Sequence, residues 1–222
     1  MREAARARAG RQPLVYRGRE ISCNWDYEEQ ARAAGHRVVA GIDEVGRGAL
    51  CGPVVTCAVV LGDGFDAEGL DDSKRLTRRQ RERLADRVRG GASAVSLGLA
   101  DAEEIDRINI LQATYLAMRR AVAGLDVAPD LLLVDGLRVP GIDLPQQAIV
   151  KGDAQSVSIA AASIVAKVAR DAMMREWDAR IPGYSLARNM GYGSRDHLQA
   201  LRTLGPSSIH RRTFHGTQAW LF

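Results

Sequence analysis

An apolar run beginning at Val38, a glycine-rich turn at Gly46–Pro53 and a second apolar run at Val54–Leu61 constrain this chain more than any other feature. Two extended apolar runs joined by a short glycine-rich connection read as a β-hairpin, and other elements must cover so apolar a hairpin. Alternating Val95, Leu97 and Leu99 predict a third, half-buried strand. Helical signals interleave with these strands. Thr77 with Gln80 and Asp101 with Glu104 form capping boxes, each marking a helix start. The first helix is short, highly charged and stops at Gly90-Gly91. The second carries Ile105, Ile108, Leu111, Tyr115 and Met118 at three- and four-residue steps until Gly124. Leu131–Val134, continuously apolar, reads as a strand covered on both faces. A short strand at Ala148–Val150 precedes a small-residue-rich helix from about Ser156 to Arg180, which Pro182-Gly183 ends. Strands gathered first as a meander and then alternating with helices indicate a mixed α/β sheet with helices on its faces.

Four carboxylates stand at the ends of these strands: Asp43 and Glu44 before the glycine-rich turn, Asp135 after Leu131–Val134, and Asp153 after Ala148–Val150. Strand ends are where side chains from distant segments converge. Hard Mg²⁺ or Mn²⁺ ions want several oxygen ligands, and phosphodiester cleavage benefits when two such ions flank the reacting phosphate. Taken singly, an acid at such a position is more often a turn or cap residue. Adjacent strand residues point to opposite faces, so the chain is expected to leave ideal strand geometry at Asp43–Glu44, a departure that Gly46 and Gly48 permit. The Gly46-Arg47-Gly48 segment is not a dinucleotide-binding loop, because it leads into Pro53 and a β-branched run instead of a helix. The chain has neither a GK[ST] phosphate loop nor a GxSxG elbow.

The segment Gly41-Ile42-Asp43-Glu44-Val45-Gly46-Arg47-Gly48 resembles the opening motif of bacterial ribonuclease HII. Asp72-Ser73-Lys74, Val134-Asp135-Gly136, Lys151-Gly152-Asp153, Ala161–Lys167, Gly191-Tyr192-Gly193 and Ser208–Arg212 resemble further segments of that family, in the family's order, from about residue 36 to 215. The resemblance implies a ribonuclease H-like mixed sheet flanked by helices, with a C-terminal helical segment. It implies an endonuclease that hydrolyses the RNA strand of RNA/DNA hybrids and cuts 5′ to single ribonucleotides in duplex DNA, leaving 3′-hydroxyl and 5′-phosphate ends. Ribonucleotide removal and primer RNA degradation would be its roles. Asp43, Glu44, Asp135 and Asp153 would be catalytic ligands of Mn²⁺ or Mg²⁺. The backbone of Gly46-Arg47-Gly48 would sense the ribose 2′-hydroxyl, the group that distinguishes RNA from DNA locally, and Tyr192 would pack on the neighbouring deoxyribose. Two positions depart from the family. Ala49 stands where Pro is usual, which is expected to loosen the turn, and Asn189-Met190 stands where a basic residue is common, which is expected to remove a phosphate contact.

Of 31 cationic side chains only three are lysines, Lys74, Lys151 and Lys167, and all three fall inside those motifs. Where Arg is otherwise the default, a compact ammonium points to a phosphate or a metal-ligand carboxylate, so Lys74 and Lys151 are expected at the substrate. Lys167, midway along a helix, is equally readable as a helix-face residue. Residues 1–37 carry eight Arg against five acids and residues 195–222 four Arg against one, which leaves the centre of this +4 chain mildly acidic. A basic periphery around an acidic centre suits a polyanion with a cation site between. Three cysteines without CxxC spacing suggest neither a disulfide framework nor a structural metal site. No apolar run is long enough to cross a bilayer, and the Arg-rich N-terminus lacks a secretory apolar core, so a cytoplasmic monomer is expected. The chain divides into a basic, flexible extension (1–35), a catalytic domain (36–215) and a tail (216–222). In the tail, Gln218, Leu221 and Phe222 resemble the Gln-x-x-Leu-Phe peptides that bind the replication sliding clamp; folding back onto the domain is the alternative. Rival readings are a non-catalytic nucleic-acid-binding module and another nuclease of the same fold class. The type 3 relative carries a larger N-terminal domain than 35 residues can form.

Overall fold

A computed structural model describes residues 23–217 and, ahead of them, the backbone of β1 (Val15–Tyr16) and β2 (Arg19–Glu20), which pair antiparallel. Gln218, Leu221 and Phe222 lie outside the described residues. The chain continues through α1 (Asp26–Ala33), β3 (Val39–Val45), β4 (Val54–Val60), α2 (Arg78–Gly91), β5 (Ala94–Ala100), α3 (Ala102–Ala123), β6 (Leu131–Asp135) and β7 (Gln146–Ile149). A 3₁₀ turn at Gly152–Ala154 leads into α4 (Val157–Arg180), α5 (Leu186–Asn189) and α6 (Arg195–Leu204). Strands β3 to β7 form one sheet in the order β5-β4-β3-β6-β7. The hairpin β3/β4 and its neighbour β5 are antiparallel, while β6 and β7 run parallel to β3. This is the mixed sheet expected from a meander followed by crossovers.

Alternation along the strands decides which helix covers which face. Cys57 and Val59 of β4 pack with Ala160–Ala166 of α4 and with Leu84, Ala85 and Val88 of α2. Ala58 and Val60, one residue out of phase, pack with Met118 and Ala121 of α3. Gly41 lets β3 approach α4: a Cβ there would lie 2.2 Å from the Ser158 carbonyl carbon. Gly98 does the same for β5 against α3, where a Cβ would meet the Ala117 oxygen at 2.0 Å. Helix α4, at 24 residues, is about 36 Å long and outreaches the sheet. Its second half brings Met174 to Leu50, Tyr184, Leu186 and Leu201, the apolar cluster of the C-terminal helical segment.

Four expectations change. In β5 the fully covered positions are Ala94, Gly98 and Ala100, whereas Leu97 and Leu99 are each 40% exposed. The alternation is real, but close helix packing selects the small residues. In α3 the single predicted stripe is broken at Asn109 (φ 66°, ψ 163°). Leu111 is therefore exposed, and Ala113, Ala117 and Ala121 face the sheet. The strand expected at Ala148–Val150 is β7, shifted to Gln146–Ile149, with Val150 exposed. Finally, part of the segment assigned to a flexible extension is packed structure. Cys23 is buried, Asn24 bridges to Ser156, and Glu28 of α1 accepts hydrogen bonds from the hydroxyls of Ser156 and Ser158 at 2.6 Å each.

Candidate active site

Three strand ends meet at the carboxylates. The parallel pairing of β3 with β6 stops at Ile42–Val134, so Asp43 and Asp135 are the first residues past the last pair. The β6/β7 ladder runs on to Asp135–Ile149, and the turn after it returns Gly152, whose N–H donates to Asp135 Oδ1 at 2.7 Å. Asp153, the next residue, is 5% exposed and accepts from Lys74 Nζ at 3.1 Å. Glu44 pairs with Arg47 at 3.1 Å. Asp43, also 5% exposed, accepts from the Glu44 N–H at 2.7 Å and from the Ser163 side chain of α4. Ser163 in turn meets Ser73 at 3.1 Å, which ties the Asp72-Ser73-Lys74 segment to the same centre.

The expected backbone departure at Asp43–Glu44 does not occur. Both residues keep regular pairing with β4, opposite Cys57 and Thr56, and the ladder continues to Val45–Val55. Strand geometry ends at Gly46, where φ is +92°. Asp43 nevertheless feels the charges of both Glu44 and Asp135, so the acids lie near one another beyond the last β3/β6 pair.

Electrostatics follow from burial. Burial first, then the charges of Glu44 and Asp135, holds the Asp43 carboxyl well above the usual carboxylate range. Burial also raises Glu44, against the lowering effect of Arg47. Asp135 is raised by burial and by Asp153, against the Gly152 hydrogen bond. Crowded carboxylates that resist ionisation together fit a hard divalent cation, which offsets their repulsion and takes their oxygens as ligands. The donor set is all oxygen, as Mg²⁺ or Mn²⁺ prefers.

The remaining predicted residues fall around this centre. Gly46 is buried, while Arg47 and Gly48 are exposed. Ala49 is fully buried and donates to the Gly46 oxygen at 3.3 Å, a bond that proline could not make. Tyr192 is 38% exposed, and its loop joins the glycine-rich turn through the Leu50 N–H to Gly191 oxygen bond at 2.8 Å. Asn189 holds that loop, donating to Tyr184 oxygen at 2.7 Å and accepting from Gly191 N–H at 2.8 Å. Lys151 is exposed in a left-handed conformation (φ 57°) just before Asp153. Lys167 pairs with Asp171 one helical turn on, at 2.7 Å. A cavity of about 500 Å³ beside α2, lined by Arg79, Arg83 and Arg87, is separate from the carboxylates.

Sequence reasoning missed three contributors. Ser163 sits within a quoted motif but carries no signal of its own. Arg170 and Arg211, both fully buried, bind backbone oxygens of the glycine-rich turn. An arginine among apolar helix positions was the available clue. Cys51, His197 and His210 also come together, within 4.8 Å of one another, yet hydrogen bonds assign the state of the two histidines. The Ser207 N–H donates to His210 Nδ1 at 3.0 Å, so the His210 proton is on Nε2 and points at His197 Nε2, 3.0 Å away. His197 Nδ1 then donates to the Tyr192 oxygen at 2.9 Å. Neutral imidazoles so engaged have no lone pair free for a metal.

Comparison with known proteins agrees with this geometry. The family model described as ribonuclease HII matches residues 40–217. A ribonuclease HII of Geobacter sulfurreducens is 53% identical over 197 residues, covering 89% of this chain and 91% of its own length. Among solved structures, the ribonuclease H2 of Pyrococcus horikoshii superposes with a TM-score of 0.66 at 26% identity, covering 82% of this chain and 96% of that one. The ribonuclease HII of Archaeoglobus fulgidus, in a structure of its complex with PCNA, shares the fold with a TM-score of 0.70 at 24% identity, covering 81% of this chain and 96% of that one. With the strand-end carboxylates in place and the family model spanning the sheet and the C-terminal helices, the chain belongs to the ribonuclease HII family.

Proposed function

We propose that this chain is a divalent-metal-dependent endonuclease that hydrolyses the RNA strand of RNA/DNA hybrids and cuts duplex DNA 5′ to a single ribonucleotide. It leaves 3′-hydroxyl and 5′-phosphate ends, and so serves ribonucleotide removal and primer RNA degradation. The observation that carries this reading is the convergence of Asp43, Glu44, Asp135 and Asp153 from three strand ends. Two Mg²⁺ or Mn²⁺ ions held by these four residues would activate water and stabilise charge on the reacting phosphate.

The chain's own groups do the rest. The Gly152 amide, together with the Asp153 backbone, orients the Asp135 carboxylate. Lys74 orients Asp153 and, being largely exposed, can meet a phosphate oxygen. Lys151, exposed beside Asp153, supplies a second cation to the strand. The amides of Gly46-Arg47-Gly48 read the ribose 2′-hydroxyl, and Tyr192 stacks on the deoxyribose that follows, which selects an RNA-to-DNA junction. The enzyme acts as a cytoplasmic monomer. Its tail, through Gln218, Leu221 and Phe222, engages a sliding clamp; the complex of the Archaeoglobus fulgidus protein with PCNA is the precedent.

The test is cleavage of an end-labelled duplex containing one ribonucleotide, with and without Mg²⁺ or Mn²⁺, by wild type and Asp135→Asn. Metal-dependent cutting 5′ to the ribonucleotide is expected. In the variant it should fall on the order of a hundred- to a thousandfold, the scale of losing one charge-stabilising group at a reacting centre. No cutting of this duplex or of a long hybrid by folded protein under either metal would instead favour a non-catalytic binding module.

A further inference from the structure

Two arginines are buried completely beneath the glycine-rich turn. Arg170 comes from the middle of α4, and Arg211 from the segment after α6. Among the described residues neither forms an ion pair. Burial, then the charge of Arg170, lowers Arg211 to about 9, which leaves it cationic at neutral pH. Buried cations need partners, and here the partners are main-chain oxygens. Arg211 donates to Gly46 at 2.7 Å, to Arg47 at 2.8 Å and twice to Gly52, at 2.9 and 3.0 Å. Arg170 donates to Pro53 at 2.9 Å, Cys51 at 3.1 Å and Met190 at 2.8 Å. Its guanidinium also lies 5.5 Å from the Tyr192 ring centroid. One bracket thus grips both the turn and the Tyr192 loop.

The direction of these bonds matters. In a trans peptide the C=O and the following N–H point opposite ways, and no described peptide is cis. Drawing the Gly46 and Arg47 oxygens inward onto Arg211 turns the N–H groups of Arg47 and Gly48 outward. Both residues are exposed, and among the described residues neither N–H meets a protein acceptor. Gly46 is interlocked with the bracket, since a Cβ there would lie 2.1 Å from Arg170 Nε. Lysine could not replace either arginine, because a single ammonium cannot span three carbonyls in a plane.

We propose that Arg170 and Arg211 are positioning residues for ribonucleotide recognition, holding the turn and the Tyr192 loop as one unit so that the Arg47 and Gly48 amides face the substrate sugar. The proposal rests on the reading in which this turn senses the 2′-hydroxyl. It predicts a change in discrimination, which a purely structural role would not produce.

The experiment measures kcat/KM for duplexes whose single test nucleotide carries 2′-hydroxyl or 2′-fluorine, with wild type, Arg211→Lys and Arg170→Lys. Binding of Mn²⁺, read by thermal shift, serves as a check on the carboxylate site. The wild-type preference for hydroxyl over fluorine should shrink by about tenfold or more in either variant, with Mn²⁺ binding retained; a displacement of about 1 Å at a recognition site has effects of this size. An unchanged preference, even at a lower rate, overturns the bracket. A wild type that cuts but ignores the 2′-substituent overturns the underlying reading and the bracket with it. Should both variants unfold, amide spectra of ¹⁵N-labelled Asp135→Asn protein decide. The Arg47 and Gly48 resonances must shift with the ribonucleotide duplex and not with its all-deoxy counterpart; equal responses reject the proposal.

Discussion

At the scale of single residues, the chain keeps several ionisable groups out of water and solves each case differently. The carboxylates of Asp43, Glu44 and Asp135 are raised by burial and by the charges of neighbouring carboxylates, whereas Arg170 and Arg211 are satisfied by carbonyls. His197 and His210 are satisfied by each other and by the Tyr192 oxygen and Ser207. Burial lowers His197, and burial followed by the neighbouring His197 lowers His210 to about 4. Because His210 titrates near 6.5 when unfolded, the unfolded chain takes up the proton first as pH falls. The pair's contribution to stability is thus complete above about pH 6.5 and is lost progressively toward pH 4. The raised carboxylates act in the opposite sense, so the comparison must be differential. Denaturant midpoints measured from pH 7.5 to 4 should fall more steeply for wild type than for His197→Gln/His210→Gln; parallel curves would show that the pair is not held neutral. The placement of the four acids at or just past strand ends was legible in the sequence because apolar runs mark where strands stop. The two arginines and Ser163 were not, since what defines them is the carbonyl or carboxylate brought to them by a distant segment.

At the scale of elements, capping boxes and apolar periodicity located helices well, and both predicted boxes are present at Thr77 and Asp101. Periodicity failed where the chain breaks its own period. Asn109 sits at φ 66° and ψ 163°, a region natural to glycine, and its Oδ1 accepts the Gln112 N–H at 3.1 Å, which caps the second half of α3. Glycine at this position would relieve strain of about 1–3 kcal/mol at the cost of a few tenths for the lost cap. Asn109→Gly should therefore raise unfolding free energy by about 1 kcal/mol, measured in urea, while Asn109→Val should lower it; the reverse order would mean that the bend is not strained. Strand β5 teaches a related point. Sequence alternation identifies two faces but does not say which is covered, and the contact of Gly98 with the α3 backbone decides it in favour of the small residues.

At the scale of the whole molecule, the domain begins before the point where motif resemblance does. Glu28 anchors α1 to the start of α4, so residues from Cys23 onward belong to the packed body. At the other end, the tail reading makes a separable prediction. Leu221→Ala/Phe222→Ala should abolish binding to a sliding clamp in a pull-down or calorimetric titration while cleavage of a short ribonucleotide-containing duplex is unchanged; undiminished clamp binding would end that reading. The sequence by itself determined the mixed sheet, the order of its elements and the four acids at strand ends, because apolar period, capping chemistry and glycine placement are local signals. Tertiary structure alone decided which face of β5 is covered and that Asp43 and Glu44 stay in regular register with β4. It alone also showed that two buried arginines join the glycine-rich turn to the Tyr192 loop. The arginine contacts join segments more than a hundred residues apart, Arg170 with Pro53 and Arg211 with Gly46, for which no local pattern exists.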